Sequence, residues 1–244
     1  MFLAIDVGNS QTTIGLIENG SVERRWRLKT DRLDTSDELD AALRSFLALD
    51  GIALADVHAA AVASVVHVLT DMWRNALAHA LGKEPFIVSA AEVRGIEVAM
   101  PYPSQIGADR IADAVEARGT YGSPAIVVDF GTATNIDVVD ARGRYRGGCI
   151  APGLMLSASA LFEKAAKLAS IPIEVPPAPI GDTTEHALQS GLVLGVAAQA
   201  EGLVARIKAQ LAAEEGVDGI DCPVIATGGL SRVIGQATDV FTAV

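Results

Sequence analysis

The chain has 244 residues, of which half are hydrophobic and a fifth are charged, and its formal net charge at pH 7 is −11. This composition is typical of a folded globular protein rather than a disordered one, and its acidity argues against a binder of duplex nucleic acid, which needs a basic face. No basic stretch of the signal-peptide kind precedes Asp6, and the most apolar windows are short or carry Gln199 and Glu201, so we expect a cytoplasmic protein without a membrane span.

The first half of the chain shows the patterns of five strands and two helices. A capping box made by Thr35 and Glu38 predicts the start of the first helix, and Gly51 predicts its end. The predicted strands cover residues 2–7, 12–17, 21–30, 58–66 and 85–89, and the second predicted helix covers residues 69–81.

The second half repeats this order. A hairpin is predicted from AIVVDF and NIDVVD (125–140), followed by a strand in RYRGGCIAPG (144–153), helices over 153–169 and most of 184–214, and a strand in PVIATGG (223–229). The first of these helices has Ala165 and Leu168 on its apolar face. Because the order occurs twice, the sequence predicts an α/β protein of two duplicated domains, residues 1–119 and 120–244.

Each half begins with a hairpin that carries an Asp-x-Gly tip, Asp6 with Gly8 and Asp129 with Gly131. Glycine lets a ligand approach the backbone closely, and the polar residues that follow are donors of the kind that phosphate oxygens need. These donors are Asn9, Ser10, Thr12 and Thr13 in the first hairpin, and Thr132 and Thr134 in the second. A carboxylate beside a phosphate also suggests Mg²⁺ between them. Ordinary hairpin turns are the alternative, but two copies at matching places favour phosphate binding.

The two hairpins and the late motif ATGGLS (226–231) resemble the sugar kinase, Hsp70 and actin superfamily. The resemblance implies two duplicated ribonuclease-H-like domains with a cleft between them that holds ATP. Neither GxxxxGK[ST] nor GxGxxG occurs, so the nucleotide would be held by hairpins rather than by a P-loop. This superfamily includes kinases, chaperones and filaments, so the fold leaves the function open.

The segment YPSQIGADRIADAVEA (102–117) places Asp109 and Arg110 at the start of a helix. Its expected core face is Ile111, Ala114 and Val115. Asp109 could accept the proton of a substrate hydroxyl that attacks a γ-phosphate, and Arg110 could bind an anionic end of the same substrate. The alternative is structural, since an acid at a helix N-terminus is stabilising by about 0.3–1 kcal/mol and Arg110 could be solvated.

Six motifs taken together resemble the type III pantothenate kinase family: DVGNSQTTIGL, GADRIADAVEA, VVDFGTATNIDVVD, GGCIAPGLMLSASALFEKAAKL, IGDTTEHALQSG and ATGGLS. They occur in the family's order and extend from residue 5 to about residue 231. The resemblance implies ATP-dependent phosphorylation of pantothenate to 4′-phosphopantothenate, the first committed step toward coenzyme A. It also implies Mg²⁺ with ATP, a monovalent cation (K⁺ or NH₄⁺) and a homodimer.

The family's functional residues can be placed where its motifs match this sequence. Asp109 would be the catalytic proton acceptor, Asp129 would bind the monovalent cation, and Thr184 would contact pantothenate, across the dimer interface. The other implied pantothenate-site residues are Gly107, Ala108 and Arg110, and the implied ATP-binding residues are Asp6, Val7, Gly8, Asn9, Ser10, Gln11, Thr12, Thr13 and Thr132.

The sequence departs from the family pattern in three places, two of which concern the substrate. Met100 stands where the family usually has a substrate-contacting Tyr, and Tyr102 lies two residues further on. Asp182 replaces a residue that is often Lys. After ATGGLS the sequence drifts from the pattern, and the C-terminal helix usual in the family is not found before Val244. Two rival functions stay open: a non-catalytic accessory or regulatory relative of the same fold, and a kinase of another small hydroxy acid.

Overall fold

The computed structural model describes residues 1–164 and 170–244. The chain forms two compact units, of which the first contains Met1–Arg94 and Tyr102–Ala112 and the second contains Gly95–Pro101 and Asp113–Val244. The change between the units falls within helix α3 (Ala108–Tyr121). The domain limits 1–119 and 120–244 stay a prediction.

The first unit is built on a five-stranded sheet covered by two helices. Its elements are β1 (Phe2–Val7), β2 (Gln11–Glu18), β3 (Ser21–Lys29), α1 (Ser36–Leu49), β4 (Ala59–Ser64), α2 (His67–Leu81) and β5 (Phe86–Ile87). The strand order is β3-β2-β1-β4-β5, with β1, β2 and β3 antiparallel and β4 parallel to β1. The predicted capping box begins α1: Thr35 Oγ1 accepts from the Glu38 amide at 3.3 Å, and Glu38 Oε2 accepts from the Thr35 amide at 2.9 Å.

Alternating residues of β1 and β2 fill the core of the first unit because successive side chains of a strand point to opposite faces. Leu3, Ile5 and Val7 are fully or almost fully buried against leucines of α1 and against Trp73 of α2. The side chain of Asp6 therefore lies on the opposite face of the sheet, which it shares with the half-buried Phe2 and Ala4. This alternation places a carboxylate outside the core of the unit.

The second unit repeats the antiparallel hairpin and third strand. Its elements are β6 (Glu97–Val98), β7 (Ala125–Phe130), β8 (Ala133–Val139), β9 (Arg144–Pro152), α4 (Leu154–Lys164), α5 (Thr184–Gln189), a π-helical turn (Ser190–Leu194), α6 (Gly195–Glu215), β10 (Val224–Thr227) and α7 (Ser231–Gly235). The strand order is β10-β7-β8-β9-β6, and β10 runs parallel to β7 as β4 does to β1.

The structure departs from the sequence-based predictions in a few elements. The predicted helix over 153–169 is confirmed for Leu154–Lys164, and its remainder with Ala165 and Leu168 lies outside the described residues. The two-residue strand β6 was not predicted, because its pairing with β9 creates it and no local pattern marks it. Val115 is half-buried, and Ala117 completes the buried face of α3 instead, since it lies one turn beyond Ala114.

The helical run Thr184–Glu215 is long and apolar enough to cross a membrane by length and composition alone. Residues of this run, among them Val193, Ala197, Ala200 and Val204, belong to the hydrophobic core of the second unit. A core helix can have the same length and apolar composition, so the run is weak evidence for a membrane span.

Candidate active site

The tip of the first hairpin presents backbone and polar side chains to solvent. Val7 pairs with Thr12 across the hairpin, and the Gly8 amide closes the turn by donating to the Gln11 carbonyl at 3.1 Å. A Cβ on residue 8 would lie 2.9 Å from that carbonyl oxygen, so the turn needs glycine. Of the predicted ATP-binding residues, Asn9, Ser10 and Gln11 are exposed, Gly8 and Thr13 are half-buried, and Val7 and Thr12 are buried.

A second carboxylate of the same unit lies near the hairpin. Asp109 is in the first turn of α3, where its Oδ1 accepts from the Arg110 amide at 2.8 Å. A Cβ on Gly107 would collide with this oxygen, so glycine at position 107 allows the carboxylate its orientation. The buried residues Ala108 and Ile111 anchor the helix start on either side of Asp109. The structure therefore brings Asp6 and Asp109, two predicted site residues, into one neighbourhood.

The electrostatics of this pair show that the two carboxylates interact. Asp6 is an exposed residue, yet the protein atoms around its carboxyl group raise its pKa from 3.8 to about 6, and the negative charge of Asp109 adds to the shift. A pair of carboxylates that repel each other in this way is stabilised when a cation binds. The site thus has the charge that a divalent cation bound to phosphate would neutralise.

Asp129 and Thr132 lie at the corresponding hairpin of the second unit. The Asp129 carboxylate is packed between two glycine turns: a Cβ on Gly228 would collide with Oδ1, and a Cβ on Gly131 would lie 3.5 Å from Oδ2. Gly228 has a φ of 91°, which favours glycine, and it belongs to the predicted ATGGLS motif. Thr132 is exposed, and its carbonyl accepts from the Gly153 amide at 3.1 Å.

Thr184, the last predicted site residue, is exposed at the start of α5. Thr183, not Thr184, caps this helix by accepting from the His186 amide at 3.1 Å, so the Thr184 side chain has no capping role. Asp182 contacts His186, with 2.6 Å between Oδ1 and Nδ1, and this partner lowers the pKa of Asp182. The negative charge at position 182 is thus retained at neutral pH beside Thr184.

The substrate-related departures occupy different surroundings in the structure. Met100 packs on β9, where a Cβ on Gly147 would lie 3.2 Å from its Sδ atom. Tyr102 is 66% exposed. Within its own unit, therefore, Met100 has an apolar packing contact, and the phenol of Tyr102 is open to solvent.

Two residues near the first hairpin were missed by the sequence reasoning. Thr30 follows β3 and hydrogen bonds to the hairpin tip through both its amide and its hydroxyl. Arg32 donates to Asn9 Oδ1 at 3.3 Å, which places a guanidinium beside the tip. Both come from beyond the end of the third strand, and only strand pairing brings that segment to the hairpin.

The donor set matches some metals better than others. Among the described residues, no group of three or more His, Cys, Asp or Glu side chains is close enough to bind a metal alone. Mg²⁺ in nucleotide enzymes typically takes one or two carboxylates and completes its shell with phosphate and water. Asp6 and Asp109 fit that kind of site, whereas a structural zinc site would need more protein ligands.

Two ribonuclease-H-like units, each with an Asp-x-Gly hairpin, define an ATPase-type fold of the sugar kinase, Hsp70 and actin superfamily. A Baf-family protein from Campylobacter jejuni has this fold with a TM-score of 0.58 and 16% identity, over 99% of this chain and 90% of that one. The chain belongs to the type III pantothenate kinase family, whose sequence model matches residues 2–206.

Curated members of the family align over the whole chain. The type III pantothenate kinases of Roseiflexus sp. (strain RS-1) and Thermomicrobium roseum are each 41% identical to it over 244 residues. The alignment covers 100% of this chain in both cases, and 93% and 92% of those two proteins. The resemblance that the six motifs indicated is thereby confirmed.

Proposed function

We propose that the chain transfers the γ-phosphate of ATP to the primary hydroxyl of pantothenate in the cytoplasm and so forms 4′-phosphopantothenate for coenzyme A synthesis. Membership of the type III pantothenate kinase family supports this activity. The observation that carries it is the pair of interacting carboxylates, Asp6 and Asp109, in the unit that also presents the first hairpin tip. A module that only binds nucleotide has no need of a second carboxylate there.

Asp109 is the proposed proton acceptor. Its Oδ1 accepts from the Arg110 amide, which orients the carboxylate. Its Oδ2 would take the proton of the pantothenate hydroxyl as that oxygen attacks the γ-phosphorus and ADP leaves. Arg110 follows Asp109 on α3, and successive helix residues point about 100° apart. This separation lets Arg110 bind the substrate carboxylate while Asp109 receives the hydroxyl.

Asp6 and the hairpin tip are proposed to bind the phosphates. The exposed Asn9, Ser10 and Gln11 offer backbone and side-chain donors, and Asp6 would hold Mg²⁺. Bound Mg²⁺ neutralises the charge that develops on the transferred phosphoryl group. Asp129 would hold the monovalent cation, K⁺ or NH₄⁺, and the exposed Thr132 would contact the nucleotide.

A coupled assay of the purified protein tests the activity. We expect ADP release that depends on pantothenate, on Mg²⁺ and on K⁺ or NH₄⁺, with a strong loss of rate when Na⁺ is the only monovalent ion. The control omits pantothenate and measures ATP hydrolysis alone. Absence of phosphate transfer to pantothenate at every salt composition would defeat the proposal.

Met100 favours a second candidate, a kinase of another small hydroxy acid, because the usual substrate tyrosine is missing. The same assay with hydroxy acids that differ from pantothenate in the amide or carboxylate end separates the two. The Baf-family protein of Campylobacter jejuni is described as a transcriptional activator, but its 16% identity to this chain shows the fold alone. It therefore gives no support to a regulatory function without catalysis.

We also propose a homodimer in which β9 and α4 form the contact. Four exposed apolar side chains lie in this stretch, and such a patch is typical of an interaction surface. They are Ile150, Met155, Leu156 and Leu161, which are 67%, 49%, 52% and 38% exposed. Thr184 is exposed too, so a partner could share it.

Replacing Leu156 with aspartate is expected to convert the dimer to a monomer in light scattering, because a charge would be buried in the contact. Leu49→Asp is the matched control, since Leu49 is 82% exposed at the end of α1 and lies outside the patch. A Leu156→Asp protein that stays dimeric would place the contact elsewhere, and a monomeric wild type would exclude the dimer.

A further inference from the structure

The tip of the first hairpin is attached to the end of β3 by three hydrogen bonds that all involve Thr30. The Thr30 amide donates to the Ser10 carbonyl at 3.2 Å, and the Thr30 hydroxyl donates to the Gly8 carbonyl at 2.8 Å. The hydroxyls of Thr30 and Thr12 lie 3.0 Å apart. Thr30 is 8% exposed and Thr12 is 2% exposed, so water does not replace these bonds readily.

The direction of the hydroxyl bonds follows from counting protons. Each threonine hydroxyl has a single proton, and a carbonyl oxygen can only accept. Because the Thr30 proton goes to the Gly8 carbonyl, the Thr12 hydroxyl must donate to Thr30. The chain Thr12 to Thr30 to Gly8 therefore uses the Thr12 proton, so the Thr12 hydroxyl does not donate to phosphate while this chain is intact.

The duplicated hairpin offers an internal comparison. Leu28 pairs with Thr12 in the first unit, as Ala151 pairs with Thr134 in the second, so Thr30 corresponds to Gly153. Gly153 also donates its amide to the tip, at the Thr132 carbonyl. It has no hydroxyl, and among the described residues the buried Thr134 hydroxyl has no hydrogen-bond partner. The amide contact is thus common to both hairpins, whereas the hydroxyl chain occurs only where Asp6 and Asp109 lie.

A Cβ on Gly153 would collide with the Thr132 carbonyl. The second tip therefore leaves no room for a threonine at position 153. The amide contact is similar in the two units, 3.2 Å from Thr30 to Ser10 and 3.1 Å from Gly153 to Thr132. The first unit differs in that Thr30 adds a side-chain hydrogen bond to its tip.

We propose that Thr30 is a positioning residue for the nucleotide, which fixes the first hairpin tip so that its amides converge on the phosphates of ATP. The proposal rests on the proposed kinase function and deepens it. Without the Thr30 hydroxyl, the Gly8 carbonyl and the Thr12 hydroxyl lose their buried partner, and the tip must rearrange to satisfy them. The nucleotide would then bind more weakly, whereas pantothenate, which does not depend on this tip, would bind as before.

The test compares Thr30→Val, which has the same shape without the hydroxyl, with Thr30→Ser, which keeps it. Loss of the buried bonds is expected to raise the KM for ATP and the Kd for ADP about tenfold in Thr30→Val, with the KM for pantothenate changed less than about twofold. Thr30→Ser is expected to restore both nucleotide constants. Thr70→Val is the matched control, because it removes a half-buried hydroxyl from α2 of the same unit.

Calorimetric ADP binding separates this inference from the proposed function. If the wild type binds ADP but does not phosphorylate pantothenate, the function fails and the Kd still tests Thr30. An unchanged Kd in folded Thr30→Val, an equal rise of both KM values, or no recovery in Thr30→Ser would overturn the positioning role. If Thr30→Val does not fold, Thr12→Val is the second variant, because it removes only the hydrogen bond between the Thr12 and Thr30 hydroxyls. We expect it to raise the Kd for ADP about threefold. An unchanged Kd for ADP in Thr12→Val would also overturn the positioning role of Thr30.

Discussion

Replacing Asp109 with asparagine is expected to lower kcat by at least about 100-fold while the Kd for ADP stays near the wild-type value. Asparagine keeps an oxygen that can accept from the Arg110 amide, so the start of α3 is preserved. It cannot take a proton from the substrate hydroxyl. Steady-state kinetics with pantothenate, together with calorimetric ADP binding, measure the two effects separately.

Glu116→Gln is the control for Asp109→Asn. It removes the same charge from an exposed position further along α3, and kcat is expected to stay within about twofold of the wild type. Full activity of Asp109→Asn would show that the proton acceptor is a different group. A loss of ADP binding in that variant would instead indicate that Asp109 holds the nucleotide.

Replacing Asp6 with asparagine is expected to reduce kcat/KM for ATP by about 100-fold, because Mg²⁺ loses its carboxylate ligand. The wild type is also expected to lose kcat/KM as the pH falls through about 6, since the raised pKa of Asp6 makes the carboxyl neutral below that value. The pH profile of kcat/KM between 5 and 8 checks this. A profile that is flat through 6 would show that ionised Asp6 is not required.

The same shift has the opposite effect on stability. The pKa of Asp6 is raised in the folded chain, so its contribution to stability is fully present below its unfolded value of 3.8 and is lost as the pH rises through about 6. At pH 7.5 the Asp6→Asn protein should therefore be more stable than the wild type. After discounting for the solvent exposure of Asp6, we expect a gain of about 1 kcal/mol, or roughly 2–4 °C in Tm.

Thermal unfolding at pH 7.5 and at about pH 3 measures this gain. The difference in Tm between Asp6→Asn and the wild type should largely disappear at about pH 3, which is below the unfolded pKa of 3.8, so that the carboxyl is mostly neutral in both states. A lower Tm of the variant at pH 7.5 would mean that ionised Asp6 stabilises the fold. A loss of activity combined with a gain of stability is expected where a site is built for a cation.

Most strands and helices could be predicted because their signals are local. The capping box of α1 is within four residues, the burial of β1 alternates along the strand, and β7 is a short run of mostly buried apolar residues. The element β6 could not be predicted, since two residues carry no periodicity and pairing with β9 defines the strand. The role of the Thr184–Glu215 run as a core helix likewise depends on what packs against it.

The sequence by itself determined the duplicated architecture and the family, and it predicted Asp6, Asp109 and Asp129 as site residues, because each of these depends on short motifs that can be identified without knowing how the elements pack. Only the tertiary structure decided that Asp6 and Asp109 interact, and that Thr30 reaches the hairpin tip. Asp6 and Asp109 are far apart along the chain, and Thr30 reaches its partners only through the pairing of β2 with β3. Such proximity is a property of the fold, since hydrogen bonds and charge effects depend on distance in space rather than on distance in sequence.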